Sequence, residues 1–239
     1  FTGEMYDFDK KSEYLTNPHP GFGASYSDNF GKVIAGNTFD YTTLHGKAIL
    51  AAGHPFSSCS RDIFCNDSTY RDSFWATDLI CGKQMSTTLG KETRHEVFPD
   101  DLQQAIIKFT QTGGNMLISG AYIGSDQSTA NHKTFINKTL GYKHAASNAT
   151  RRGAAKPYPC PDMPAMPDIQ IVMDQNSDIY CVESPDGITP AAKSGRIIFR
   201  YSDSGISAGV AYKEKFKSFL SEHSFTNADI LLITESANS

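Results

Sequence analysis

The sequence predicts an α/β protein: three layers around a mostly parallel sheet, with an antiparallel hairpin extension. Three observations carry this. Short apolar runs stop at glycine, as at Lys47–Gly53, Asp78–Gly82 and Asn115–Gly120. An amphipathic stretch joins the second run to the third, and two later runs flank a Ser202-Asp203-Ser204-Gly205 turn. With 239 residues, 39% of them hydrophobic, the chain has material for a substantial core. No linker divides it, so residues 1–239 read as one domain.

Residues 1–46 are rich in Gly, Asn, Asp, Tyr and Phe, with turn signals at Asn17-Pro18, Pro20-Gly21 and Gly36-Asn37, and read as loop-rich. Lys47–Gly53 reads as a buried strand of a parallel sheet, and Asp78–Gly82 as a second. In Asp100–Thr112, Leu102, Ala105, Ile106 and Phe109 make one apolar stripe. Asp100 and Asp101 suit the start of that helix, and Gly113-Gly114 stops it. Asn115–Gly120 then completes a βαβ unit, whose crossover is expected to be right-handed. A further helix is expected over Ala130–Leu140. Strands follow at Asp168–Met173, Ile179–Val182, Arg196–Tyr201 and Gly205–Tyr212, the last two as a hairpin. Lys213–Glu222 reads as a helix and Ala228–Thr234 as a final strand.

Composition narrows the function classes. A formal net charge of -4 leaves no basic footprint, so no nucleic-acid partner is expected. No apolar run approaches the roughly 20 residues of a membrane span. The phosphate-cradling G-x-x-x-x-G-K-[ST] pattern is absent, and the five cysteines include no C-x-x-C pair, so neither cofactor nor metal is expected. Cys59 and Cys65 flank a short polar loop, Cys160 lies in a Pro-rich stretch and Cys181 in an apolar run. Disulfides 59–65 and 160–181 fit an exported protein, with Cys81 left over; five reduced, mostly buried thiols fit as well. The cysteine placement and the Asn/Ser/Thr/Tyr-rich texture favour a secreted or cell-envelope location, where the sequons at Asn66, Asn137 and Asn148 would matter.

In an open parallel sheet, ligands bind beyond the carboxyl ends of the strands. The residues just after the three glycine-terminated runs include His54, Ser57, Ser58, Lys83, Gln84, Tyr122, Ser125 and Asp126. If the runs are parallel neighbours, these side chains share one rim.

The order of an Asp-initiated apolar strand, an amphipathic helix, Gly-Gly, an apolar strand and Gly120-Ala121-Tyr122-Ile123-Gly124 resembles the class I glutamine amidotransferase-like, flavodoxin-like fold. That family carries G-x-C-x-G at this point, a sharp turn exposing a nucleophilic cysteine beside amides that face an oxyanion. Tyr122 replaces the cysteine, and no histidine is followed two residues on by an acid. A phenol with a pKa of about 10 is a poor acyl-transfer nucleophile, so glutaminase activity is not expected. Pro20–Ser25, Gly36–Tyr41, His45–Ile49, Asp78–Gln84, Ser119–Asp126 and Arg200–Gly209 also resemble secreted bacterial proteins labelled xanthan lyases. That resemblance covers roughly residues 1–213 and implies a first strand before Phe1, hence a fragment of a longer polypeptide.

The resemblance implies an exported polysaccharide-associated module, with an acidic polysaccharide and other domains of the same polypeptide as partners. A lyase needs a base to remove the proton α to a uronate carboxyl; Tyr122, Asp126 and His54 are the catalytic candidates. Lys83, Gln84, Ser58 and Ser125 are the candidate substrate contacts. Each has an ordinary structural role too: Tyr122 packing over the turn, Ser125-Asp126 capping the next helix, His54 filling a loop, Cys81 in the core. A catalytically inactive scaffold is the alternative to the lyase, and an amidase or peptidase using Cys59 or Ser58 with His54 is a third reading. His45 and Arg151-Arg152 have smaller claims.

Overall fold

The computed structural model describes residues 41–82, 84–89, 92–127, 129–150, 154–159, 171–172, 185–215 and 227–233. Its first element corrects an expectation. Lys47–Gly53 is not a strand; it closes helix α1 (Tyr41–Ala51). Lysine, alanine and leucine are strong helix formers, and one isoleucine does not outweigh them. Gly53 (φ +86) stops the helix by donating to Leu50 O, while His54 N–H reaches back to Ile49 O, the paired bonds of a Schellman motif. The terminating glycine is therefore a helix C-cap signal. The loop-rich expectation for residues 1–46 also gives way at 41–46; residues 1–40 lie outside the described residues.

Two short helices follow: α2 (Arg61–Asn66), capped by the Ser60 side chain, and α3 (Ser68–Arg71), capped by Asp67. Strand β1 (Ala76–Gly82) comes next, then a small hairpin of β2 (Thr87–Leu89) and β3 (Glu92–Arg94). Helix α4 (Asp100–Gln111) and β4 (Asn115–Gly120) complete the expected unit, for β1 and β4 pair in parallel with Ala76 opposite Asn115. The predicted stripe of α4 is buried. Leu102, Ala105, Ile106 and Phe109 pack with Leu79, Cys81, Met116 and Ile118. Each large side chain among these contributes roughly 1.5–3 kcal/mol by leaving water. Gly113 (φ +92) and Gly114 end α4 with a second Schellman motif, through Gly113 N–H to Thr110 O and Gly114 N–H to Phe109 O. A Cβ on Gly114 would lie 2.4 Å from the Phe109 ring, so glycine is needed there for space as well.

Helix α5 (Ala130–Lys138) agrees with the expected Ala130–Leu140. Strands β5 (Tyr142–Ala146), β6 (Ala154–Pro157), β7 (Ile171–Val172), β8 (Gly187–Pro190), β9 (Arg196–Tyr201), β10 (Ser207–Lys215) and β11 (Asn227–Ile233) follow. The main sheet runs β1-β4-β11-β10-β9-β6-β7, and β5 pairs with β8 in a separate antiparallel ladder. Among the described residues only β1/β4 and β4/β11 are parallel; β11/β10, β10/β9, β9/β6 and β6/β7 are antiparallel. The sheet is mixed, and the mostly parallel expectation is corrected. The β9–β10 hairpin is present as predicted, but it lies inside the sheet, and β11 comes back between it and β4. Of the strand expected over Asp168–Met173 the described residues hold β7, and the rest of it and that over Ile179–Val182 lie outside the described residues. The helix expected from Lys213 gives way at its start, since β10 continues through Lys215; residues 216–222 lie outside the described residues.

Candidate functional site

The elbow after β4 is the centre of the site. Gly120 must be small, because a Cβ there would lie 2.7 Å from Cys81 Cβ and 2.9 Å from Ile123 Cγ2. Ala121 N–H donates to Gly82 O at 2.8 Å, which ties the ends of β4 and β1 together. The chain then turns through Tyr122–Ser125, with Asp126 N–H returning to Tyr122 O at 3.1 Å. Gly124 is needed for close approach as well: its Cβ would meet Ile188 Cγ2 at 2.9 Å and Asp186 Oδ2 at 3.3 Å.

Asp186 is the residue that sequence reasoning missed. Its side chain is 1% exposed, and Oδ2 accepts from Gly124 N–H (3.0 Å) and Ser125 N–H (2.6 Å). Its own N–H donates to Ala121 O, and its carbonyl accepts from the buried Tyr201 hydroxyl at 2.9 Å. The other carboxylate oxygen, Oδ1, has no hydrogen bond and lies 3.7 Å from His144 Nε2. Burial pushes the Asp186 carboxyl above its ordinary value, against the opposing pull of the Ser125 and Gly124 bonds and of His144. Tyr142, fully buried beside it, is raised well above a normal phenol, chiefly by desolvation, with Cys81 and Asp186 adding to the shift. Ser147 Oγ lies 3.2 Å from the same His144 Nε2. Ser147, His144 and Asp186 therefore do not form a triad, because a catalytic imidazole takes the nucleophile's proton at one nitrogen while the carboxylate holds the other, and here both neighbours face Nε2. No local signal marks Asp186; its partners are 61 and 62 residues away.

Asp126 is buried, and both its oxygens are engaged. Oδ1 accepts from Ser86 N–H (3.2 Å) and Oδ2 from Val97 N–H (2.7 Å). It does not cap α5, whose N-cap is Thr129, with its hydroxyl accepting from His132 N–H. Capping by Ser125-Asp126 is thus corrected: α5 starts too far along the chain for either side chain to serve it. Gln84 Nε2 donates to Glu96 O at 2.6 Å, and Glu96 Oε1 lies 3.7 Å from the buried His132 Nε2. Tyr122 is half-buried against the main core, as its packing role implies. The rim therefore gathers Gln84, Tyr122, Ser125 and Asp126, and Gln84, Ser125 and Asp126 all hold protein partners. Lys83 lies outside the described residues.

His54 does not join this rim, and Ser58 lies on the same loop. Both are exposed on the loop after α1, and the His54 ring meets Trp75 edge-to-face at 6.3 Å. Trp75 directly precedes β1, so His54 sits at the amino end of that strand, about 20 Å from the elbow. Cys59, Cys65 and Cys81 are free thiols, so the 59–65 disulfide is not formed; Cys160 and Cys181 lie outside the described residues. Burial raises the Cys59 thiol and lifts Cys65 to about 11, the reverse of what activates a nucleophile. Cys81 is in the core, as expected. A further pair stands under α1: His45 Nδ1 is 2.6 Å from Asp78 Oδ2, and His45 Nε2 and Asp78 Oδ1 are buried without hydrogen-bond partners. An acid within an apolar strand was the signal for that pair. Among the described residues, no three His, Cys, Asp or Glu side chains gather as a metal would require, and no helix is long and apolar enough to cross a membrane.

By class this is a mixed α/β protein whose central elbow is closed by its own carboxylate. No family model matches the chain, and no curated protein does. Among solved structures it is similar to a cytoplasmic protein of Salmonella typhimurium LT2, at 11% identity over 81% of this chain and 74% of that one, with a TM-score of 0.49. A second Salmonella typhimurium cytoplasmic protein is 9% identical over 78% and 72% (TM-score 0.46), and a ThuA-like protein from Bacteroides uniformis 11% over 82% and 73% (TM-score 0.42). The expectation of a secreted or cell-envelope location is corrected here. Two of these structures are of proteins described as cytoplasmic.

Proposed function

We propose that the chain is a catalytically inactive, amidotransferase-like domain that acts as a scaffold for other domains of its polypeptide. The parallel β1–α4–β4 unit and the glycine-bounded turn after β4 support that finer fold. The observation that carries the reading is the elbow itself. Tyr122 stands where acyl transfer needs a thiolate, and the next two amides beyond Ile123 already hold the Asp186 carboxylate. Incubated with glutamine, the purified chain is expected to release no ammonia above the buffer rate. Tyr122→Cys is expected to release none either, because no histidine of the chain is followed two residues on by an acid, the pair that would activate the thiol. Ammonia release by the unmodified chain would refute the scaffold.

Recognition of an acidic polysaccharide, with or without lyase chemistry, is the second reading, and Trp75 favours it. Its indole is 71% exposed and braced by His54, a flat apolar face of the kind that stacks on sugar rings. Trp75→Ala is expected to abolish retention on acidic glycan arrays, with no change in unsaturated-uronate absorbance. No retention of the unmodified chain would leave the scaffold standing alone, and equal retention by the variant would refute the role of Trp75.

A further inference from the structure

The amides of Gly124 and Ser125 converge on a single oxygen, Asp186 Oδ2, from a turn in which glycine is required for the carboxylate to come so near. Paired backbone N–H groups of this kind are an anion-binding concavity, whatever anion fills it. Asp186 fills it imperfectly. Its second oxygen is buried without a hydrogen bond, with only the His144 imidazole at 3.7 Å. The carboxylate enters from the residue before β8, a different part of the chain, and its backbone is anchored separately through Ala121 O and the Tyr201 hydroxyl. The backbone anchors of residue 186 thus do not depend on the carboxylate.

We infer that the elbow is a carboxylate-recognition site which the protein occupies with its own Asp186, an internal ligand that keeps small external carboxylates out. Removing the carboxylate while keeping Cβ leaves a space of formate's shape, lined by the Gly124 and Ser125 amides on one side and facing His144 on the other. The ligand class is a small planar carboxylate, whose two oxygens take the places of Oδ2 and Oδ1.

The test is chemical rescue of the full chain. Asp186→Ala is expected to show a saturable rise in thermal midpoint with sodium formate, absent with sodium chloride at the same ionic strength. The unmodified chain and Asp186→Asn, whose side chains still fill the site, are expected to show no formate-specific rise. An equal response in all three proteins, or none in a folded Asp186→Ala, overturns the inference. A second measurement needs no variant: in the unmodified chain the Gly124 and Ser125 amides are expected to be strongly protected from hydrogen exchange, and free exchange of either also overturns it. The inference deepens the scaffold reading and rests on the same elbow. Glutamine turnover by the unmodified chain would end that reading and leave the formate result intact, so the two failures are distinguishable.

Discussion

Asp126→Ala is expected to destabilise the protein by about 2 to 5 kcal/mol, since it leaves two backbone donors without their acceptor, one of them fully buried and the other partly so. The donors are Ser86 N–H and Val97 N–H, which stand at the two ends of the segment carrying the β2–β3 hairpin. One carboxylate thus pins both ends of that excursion to the elbow. Val97 and Phe98 are buried just beyond the second bond, so loosening it reaches the main core. Asp126→Asn is also expected to destabilise, though by less. An asparagine offers one oxygen and one amino group, and the amino group would face one of the two N–H donors. Denaturant unfolding of the three proteins checks the order, and equal stability of Asp126→Ala and the unmodified chain would refute the pinning role.

Asp126 was legible in the sequence as a rim residue because it follows an apolar run and a glycine-rich turn, features with local periodicity. The same local logic placed α4, β4 and the β9–β10 hairpin. It failed at Lys47–Gly53, where a short apolar run ending in glycine fits a buried strand and a capped helix equally, and helix propensity decided. It failed again on strand direction. The sheet order depends on which distant strands pair, and nothing around Ala228–Thr234 announces that β11 will insert between β4 and β10. The site divides along the same line. Gln84, Tyr122, Ser125 and Asp126 are near one another because β1 and β4 are parallel neighbours, which the βαβ pattern implied. Asp186 reaches the elbow through the β5–β8 ladder and the Tyr201 hydroxyl, contacts made across the fold. His54 and Ser58 belong to the rim only if Lys47–Gly53 is a strand, and with α1 in its place His54 sits at the other end of β1.

Asp186 is expected to give the protein a stability that rises on mild acidification, opposite to the usual behaviour of a paired carboxylate. Burial raises its native-state pKa above 3.8, the ordinary value of an aspartate in the unfolded chain. Between those two values the native state holds the proton and the unfolded state has released it, so stability falls as pH rises through that window. Above the native value both states are ionised and the contribution is lost; below 3.8 both are protonated and it is fully present. Asp186→Asn removes this titration and keeps the geometry. Both amides bond the same oxygen, so one asparagine carbonyl satisfies them, and the amide nitrogen takes the position of the unbonded Oδ1 facing His144. The difference in unfolding free energy between Asp186→Asn and the unmodified chain is therefore expected to grow in the variant's favour as pH rises from about 4 towards neutrality. Urea unfolding at matched ionic strength across that range measures it. A difference that shrinks instead would mean that the Gly124, Ser125 and His144 contacts outweigh burial, and that Asp186 is held as a stabilised anion. Asp126 provides the contrast within the same elbow: each of its oxygens serves a different amide, so the substitution to asparagine that Asp186 tolerates is one that Asp126 does not.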